Sequence, residues 1–141
     1  MKNYLFVAIL MFAINLTFSQ TVFGKWKTID DETGAEKGIV EIYEKNGKVY
    51  GRIMDILEEK HRSKKCSLCP GEDANKPLIG LIFIKGLKKD GKEFNGGKII
   101  DPQNGNSYKC YITLENNNKL KVRGYLGMAI FGRTQYWYRV Q

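Results

Sequence analysis

Apolar and polar residues alternate with a period of two through most of this chain, and no stretch of useful length repeats with the 3.6-residue period of an amphipathic helix. Tyr108, Cys110, Ile112 and Leu114 fall on one side, with Lys109, Tyr111 and Thr113 on the other. Leu120, Val122, Gly124 and Leu126 oppose Lys119, Lys121, Arg123 and Tyr125 in the same way. One dry face and one wet face are what antiparallel strands around a single core require. Strand-like runs occupy residues 22–30, 38–44, 48–56, 78–87, 92–101, 107–114, 119–127 and 133–140. Asn46-Gly47, between the second and third runs, readily adopts the positive φ angles of a type I′ turn and signals a hairpin. Asp90-Gly91, Asn104-Gly105, the Asn116-Asn117-Asn118 run and Gly132 mark further connections, and the polar stretch 57–77 is the longest loop. Glycines within the runs (Gly51, Gly86, Gly96-Gly97, Gly124) suit the bends and bulges of a small closed sheet. The pattern predicts an all-β fold, a single antiparallel up-and-down barrel of about eight strands with no open edge. A barrel of this size either fills its interior with side chains or holds one small ligand. The alternation is the same in both cases.

The N-terminus breaks the alternation. Met1-Lys2-Asn3-Tyr4 precedes a nearly unbroken apolar run from Leu5 to Leu16, followed by Thr17-Phe18-Ser19-Gln20. A basic start, an apolar run too short to span a bilayer, and small residues before a cut after Ser19 describe a secretory signal peptide. Two segments result: a signal peptide over 1–19 and a barrel domain over 20–141. No cysteine follows the apolar run to anchor a lipid, and no later segment is apolar enough to cross a membrane as a helix. The expected location is the periplasm or the extracellular space. That placement sets aside ATP, reduced nicotinamide and nucleic acid as partners.

With 141 residues, 43% of them hydrophobic, the chain can bury one core and has no room for a multi-part enzyme. The formal net charge of +8 is dispersed over Lys25, Lys27 and residues 60–65, 85–92 and 119–123, as on a solvated surface rather than a nucleic-acid groove. His61 is the single histidine, which removes most histidine-based catalysis, and nothing resembles a Gly-x-Ser-x-Gly elbow. The acidic groups Asp30-Asp31-Glu32 and Glu58-Glu59 sit side by side in turns instead of facing each other across a cleft. Residues 86–92 nearly match a phosphate-binding loop. However, Glu93 stands where its Ser or Thr belongs and a strand follows instead of a helix, so a lysine-rich hairpin is expected. No catalytic residue and no cofactor is expected.

The long loop carries His61-Arg62-Ser63-Lys64-Lys65-Cys66-Ser67-Leu68-Cys69-Pro70-Gly71, with Cys110 far downstream. Three readings compete. A Cys66–Cys69 disulfide stapling the loop, with Cys110 left as a buried thiol, fits an oxidising compartment. A redox-active pair normally uses a helix N-terminus to lower its thiol pKa; here Pro70-Gly71 starts a turn, although Lys64 and Lys65 stand near enough to favour a thiolate. A metal site would draw on His61, Cys66, Cys69 and Cys110, which is half of a zinc signature. The compartment favours the disulfide, and no metal is expected.

Several ordered segments resemble a bacterial group catalogued as domain of unknown function family 2147. They are residues 24–28 (GKWKT), 47–53 (GKVYGRI), 77–81 (PLIGL), 96–102 (GGKIIDP), Asn104-Gly105, 121–127 (KVRGYLG) and 132–135 (GRTQ) with Trp137. The resemblance runs over essentially the whole chain after the signal. It implies a small exported β-barrel similar to the lipocalin-like group, and it brings neither an activity nor catalytic residues. Gly24-x-Trp26 is also similar to the lipocalin opening, in which the tryptophan closes one barrel end beneath an arginine of the last strand. Arg139, ahead of Arg133, is the residue placed to stack on Trp26 here.

The function expected from these features is a non-enzymatic barrel that binds an apolar or amphiphilic molecule, a lipid-like or anionic envelope ligand. Tyrosines beside basic residues are the candidates to line its mouth, giving a ligand-binding set of Tyr50, Arg52, Tyr108, Arg123 and Tyr125. The plain alternative is that they are ordinary strand tyrosines. Two other functions stay open. One is a filled-core structural or interaction module touching an envelope component through its basic loops. The other is a thiol-disulfide redox protein using Cys66 and Cys69.

Overall fold

The computed structural model describes residues 20–128 and 132–141, so the expected signal segment 1–19 lies outside the described residues. Eight strands follow one another: β1 (Gly24–Ile29), β2 (Glu36–Lys45), β3 (Lys48–Ile56), β4 (Ile82–Asp90), β5 (Glu93–Ile100), β6 (Ser107–Asn116), β7 (Lys119–Tyr125) and β8 (Gly132–Arg139). Each pairs antiparallel with the next. β1 then meets β8, with Trp26 opposite Arg139 and Lys27 opposite Tyr138, and the sheet closes on itself. The fold is the all-β up-and-down barrel that the alternation predicts. No helix among the described residues is long and apolar enough to cross a membrane.

Strand ends differ from the expected ones where hydrogen bonding turns the chain. β4 starts at Ile82 rather than at residue 78, because residues 78–81 form a turn. The Leu81 amide donates to the Leu78 carbonyl at 3.1 Å, and Gly80, at φ +96°, donates to the Ile53 carbonyl at 2.7 Å. β2 begins at Glu36, paired to Ile29 through an irregularity next to Thr28. Strands β4 and β5 approach so closely that a Cβ on Gly97 would lie 2.2 Å from the Lys85 carbonyl oxygen. Only glycine fits there.

The two barrel ends are built differently. At one end Asn46-Gly47 turns β2 into β3 with φ +53° and +77°, as a type I′ turn requires. Gly91-Lys92 and Asn117-Asn118 make equally short turns at the same end. The opposite end carries the longer connections, residues 30–35, 57–81 and 101–106, with residues 126–128 following β7 there.

The interior follows this division. Ile42, Val49, Leu87, Ile112 and Leu120 are fully buried between the strands, each contributing about 1.5–3 kcal/mol by burial. Trp26, with no exposed surface, plugs the short-turn end, and its Nε1 donates to the Val22 carbonyl at 2.9 Å. The Arg139 guanidinium stacks on its ring at 4.3 Å and donates to the carbonyls of Thr21, Phe23 and Asn117. Cys110 faces this interior as a free buried thiol, and burial pushes its pKa up to about 12.

Candidate functional site

Toward the long-loop end the interior is hollow. A cavity of about 960 Å³ opens there, near the top of the roughly 300–1,000 Å³ range of small-ligand pockets. Val40, Ile53, Phe83, Ile99, Val122 and Trp137 supply its apolar surface. They come from six different strands, and Phe83 joins them beside fully buried Ile84 where the β3–β4 register shifts, a departure from the side-chain period of two. Phe83 and Trp137 face each other with ring centroids 6.0 Å apart. Gly38 and Gly124 also line the cavity at close approaches: a Cβ on Gly38 would lie 2.6 Å from the Asp55 carbonyl oxygen and one on Gly124 3.3 Å from the Ile99 side chain.

The β3–β4 loop forms one side of the mouth. Residues 64–66 and 76–78 run antiparallel as a small hairpin: Cys66 N–H donates to the Lys76 carbonyl at 2.7 Å and Leu78 N–H to the Lys64 carbonyl at 3.0 Å. A Cys66–Cys69 disulfide staples the tip, and both cysteines are buried. The tip rests on the β5–β6 loop, with Cys66 Sγ 3.9 Å from the Pro102 carbonyl oxygen. A Cβ on Gly105 would sit 1.8 Å from the Leu68 carbonyl oxygen, so the loops can touch only because residue 105 is glycine. Asp73, buried in the same loop, pairs with Lys76 at 3.3 Å and with Lys85 of β4. Burial alone would raise the Asp73 carboxyl, but hydrogen bonds from Lys85 and Lys76 outweigh it and hold the pKa below the usual value.

The β8 side of the mouth is a chain of hydrogen bonds. Arg133 binds the Asp31 carboxylate through Nε and through an NH2 group at 2.7 Å, and it reaches Glu32 at 3.3 Å. That guanidinium lowers the Asp31 pKa. Gln135 donates to Asp31 at 3.3 Å and accepts from the Trp137 indole N–H at 2.9 Å. Polar groups are thereby joined from the rim down to the apolar floor.

Of the residues proposed for the mouth, Tyr108 lines the cavity, its hydroxyl accepting from Asn104 at 3.1 Å. Tyr125 lies at the rim, its ring 6.2 Å from that of Tyr111. Tyr50, Arg52 and Arg123 are on the outer face instead, and none of them lines the cavity. Tyr50 stacks on Tyr43 at 5.9 Å, Arg52 binds Glu41 at 2.6 Å, and Arg123 donates to Thr134 at 2.6 Å. The reason is the pleat: buried Val49, Gly51, Val122 and half-buried Ile53 take the inward positions, so their neighbours point out. That signal was present in the alternation. Absent from the expected set were Trp137, readable from the inward row of β8, and Phe83, which sits at a register shift in β4 that alternation does not announce. His61, Lys64 and Lys65 were also absent, and they line the cavity from a loop without periodicity.

Comparison with known proteins agrees with this geometry. The profile of a bacterial family, described as an uncharacterized protein conserved in bacteria (DUF2147), matches residues 24–139. The chain belongs to the DUF2147 family. A search of curated proteins found no match. Among solved structures, protein HP1028 from the human pathogen Helicobacter pylori, described as belonging to the lipocalin family, is similar with a TM-score of 0.76. The similarity covers 87% of this chain and 85% of that one at 23% identity, and it establishes that this DUF2147 member has a lipocalin-like fold.

Proposed function

We propose that this protein is an exported, non-enzymatic binding barrel that holds an apolar or amphiphilic envelope molecule in its cavity. The observation that carries this reading is the hollow of about 960 Å³ beneath the long loops, larger than the one of about 620 Å³ at the short-turn end, where Trp26 itself is wholly buried. A barrel serving only as a scaffold gains stability from filling that space, since each missing contact forfeits dispersion and burial energy. Export rests on the N-terminal sequence, with the disulfide as the compatible chemistry. Thiol exchange fits less well, because both sulfurs are buried and the turn after Cys69 is a three-residue 3-10 segment, Gly71–Asp73.

The test is native mass spectrometry of protein purified gently from its own envelope without reductant. A reproducible added mass that extracts into organic solvent is the expected result. A bare mass would move the reading to the filled-core interaction module. N-terminal sequencing of the same material is expected to begin at Gln20, and a start at Met1 would remove the export argument.

A further inference from the structure

The two sides of the cavity mouth differ in how their polar groups are satisfied. On the β8 side Asp31, Arg133, Gln135 and Trp137 are bonded to one another. On the β3–β4 side, His61 Nδ1 is buried and has no hydrogen-bond partner among the described residues. His61 Nε2 lies 3.0 Å from Glu58 Oε2 and donates to it. Nδ1 is therefore a lone pair in the neutral ring and an N–H donor in the charged ring. Nδ1 presents no surface to the cavity as the ring stands, so an acidic head group meets it only once the ring turns, donating its O–H to the neutral ring or accepting from the charged one. A buried polar atom left without any partner is penalised, so a ligand that draws the ring round and supplies one is favoured.

Charge points the same way. Lys64 and Lys65 line the cavity and form no ion pair among the described residues. Lys37 lines it from the start of β2, where its charge helps lower the carboxyls of Asp30 and Glu58 without a direct pair. The acids that line the cavity are already engaged by their own turns. Asp30 accepts from the amides of Glu32 and Thr33 at 2.9 and 3.0 Å, and Asp101 accepts from the Gln103 amide at 2.9 Å and from the Asn104 side chain. The cations on this wall are left without such partners.

We propose that the cavity takes a single-chain amphiphile with an acidic head group, a carboxylate or phosphate. Its chain lies on Val40, Phe83, Val122 and Trp137, and its head is held at the loop wall by Lys37, Lys64, Lys65 and His61. This inference rests on the binding-barrel reading and adds the head group and its place.

The test compares ligands of one chain length by calorimetry at low salt, below their micelle concentrations. Dodecanoate and dodecyl phosphate are set against dodecanol and dodecyltrimethylammonium, with acetate and inorganic phosphate as heads without a chain. An acid is expected to bind about tenfold tighter than the alcohol, with the cation weakest, and the preference is expected to shrink as salt rises. In the Lys64→Gln/Lys65→Gln protein the acid-to-alcohol ratio is expected to fall to about threefold or less. Equal affinity for acid and alcohol, or an unchanged ratio in the variant, overturns the head-group assignment and leaves the binding barrel standing. Inorganic phosphate or acetate binding as tightly as the chain compounds overturns the amphiphile. No binding by any chain compound overturns both readings.

Discussion

At one end of this barrel three two-residue turns hold the strands together over a tryptophan that a guanidinium covers from outside. At the other, longer connections among the described residues border a cavity and are held by a disulfide, ion pairs and Asx-type turns. The first end spends its side chains on apolar packing. The second spends them on polar contacts between loops, which rearrange more easily and leave space below. The difference teaches where function sits on a uniform scaffold: the strands continue through both ends, and only the connections and the volume of the inward residues change.

The largest expected effect comes from exchanging the two buried tryptophans in turn. Trp26→Ala removes a side chain in contact on all sides and is expected to destabilise the protein by about 3–5 kcal/mol in chemical denaturation. Trp137→Ala is expected to lower stability by less, because Trp137 borders the cavity although only 2% of it is exposed, while the cavity grows and ligand affinity changes. Equal losses for the two would break the distinction between a filled and a hollow half. Arg139→Met is expected to cost about 2 kcal/mol, since it removes the stacking on Trp26 and leaves the Phe23 carbonyl without its donor. Ligand affinity measured on the same variant should not move, as Arg139 acts at the plugged end.

Removing the staple with Cys66→Ser/Cys69→Ser acts on the other end. The cross-linked loop is very short, so loop-closure entropy assigns it only about 1–2 kcal/mol. The expected signature is faster amide exchange confined to residues 57–81 and the β5–β6 loop resting against them. Faster exchange at Trp26 and its neighbours would show that the ends are not independent.

The plugged end was far more legible than the open one. Alternation and turn residues locate all eight strands, because these features are local or repeat with period two, while the closure by Trp26 and Arg139 follows from the resemblance of Gly24-x-Trp26 to the lipocalin opening. The cavity was half legible. Its strand-borne wall follows from the inward rows, and reading β3 by that rule puts Val49, Gly51 and Ile53 inside and Tyr50 and Arg52 outside. The loop-borne wall follows from no period. His61, Lys64 and Lys65 reach the cavity because a small hairpin, a disulfide and a contact at Gly105 fold residues 57–81 over it. Each of those is a long-range event in a polar segment.

Acid offers the mildest way to separate the two ends. Asp30, Asp31, Glu58 and Asp73 all belong to open-end loops, and all have pKa values lowered below their usual ones. Backbone amides of Thr33 and Glu32 lower Asp30, the Arg133 guanidinium lowers Asp31, and Lys60 lowers Glu58. A group whose pKa is lower folded than unfolded stabilises the folded state above its unfolded pKa, near 4 for a carboxyl. That contribution fades as pH falls through the lower, folded value. Between pH 5 and 7 the open-end loops should therefore keep their protection from amide exchange, after correction for intrinsic rates. Below about pH 4 they should lose it before the plugged end does. Asp73 is the most buried of these carboxylates, while both its lysine partners are partly exposed. Asp73→Asn is therefore expected to lower stability at pH 7 by less than about 1 kcal/mol. It should also flatten the acid dependence of residues 57–81. Uniform loss of protection around the whole barrel would show that these carboxylates stabilise the fold as a single unit, with no separate allegiance to the mouth.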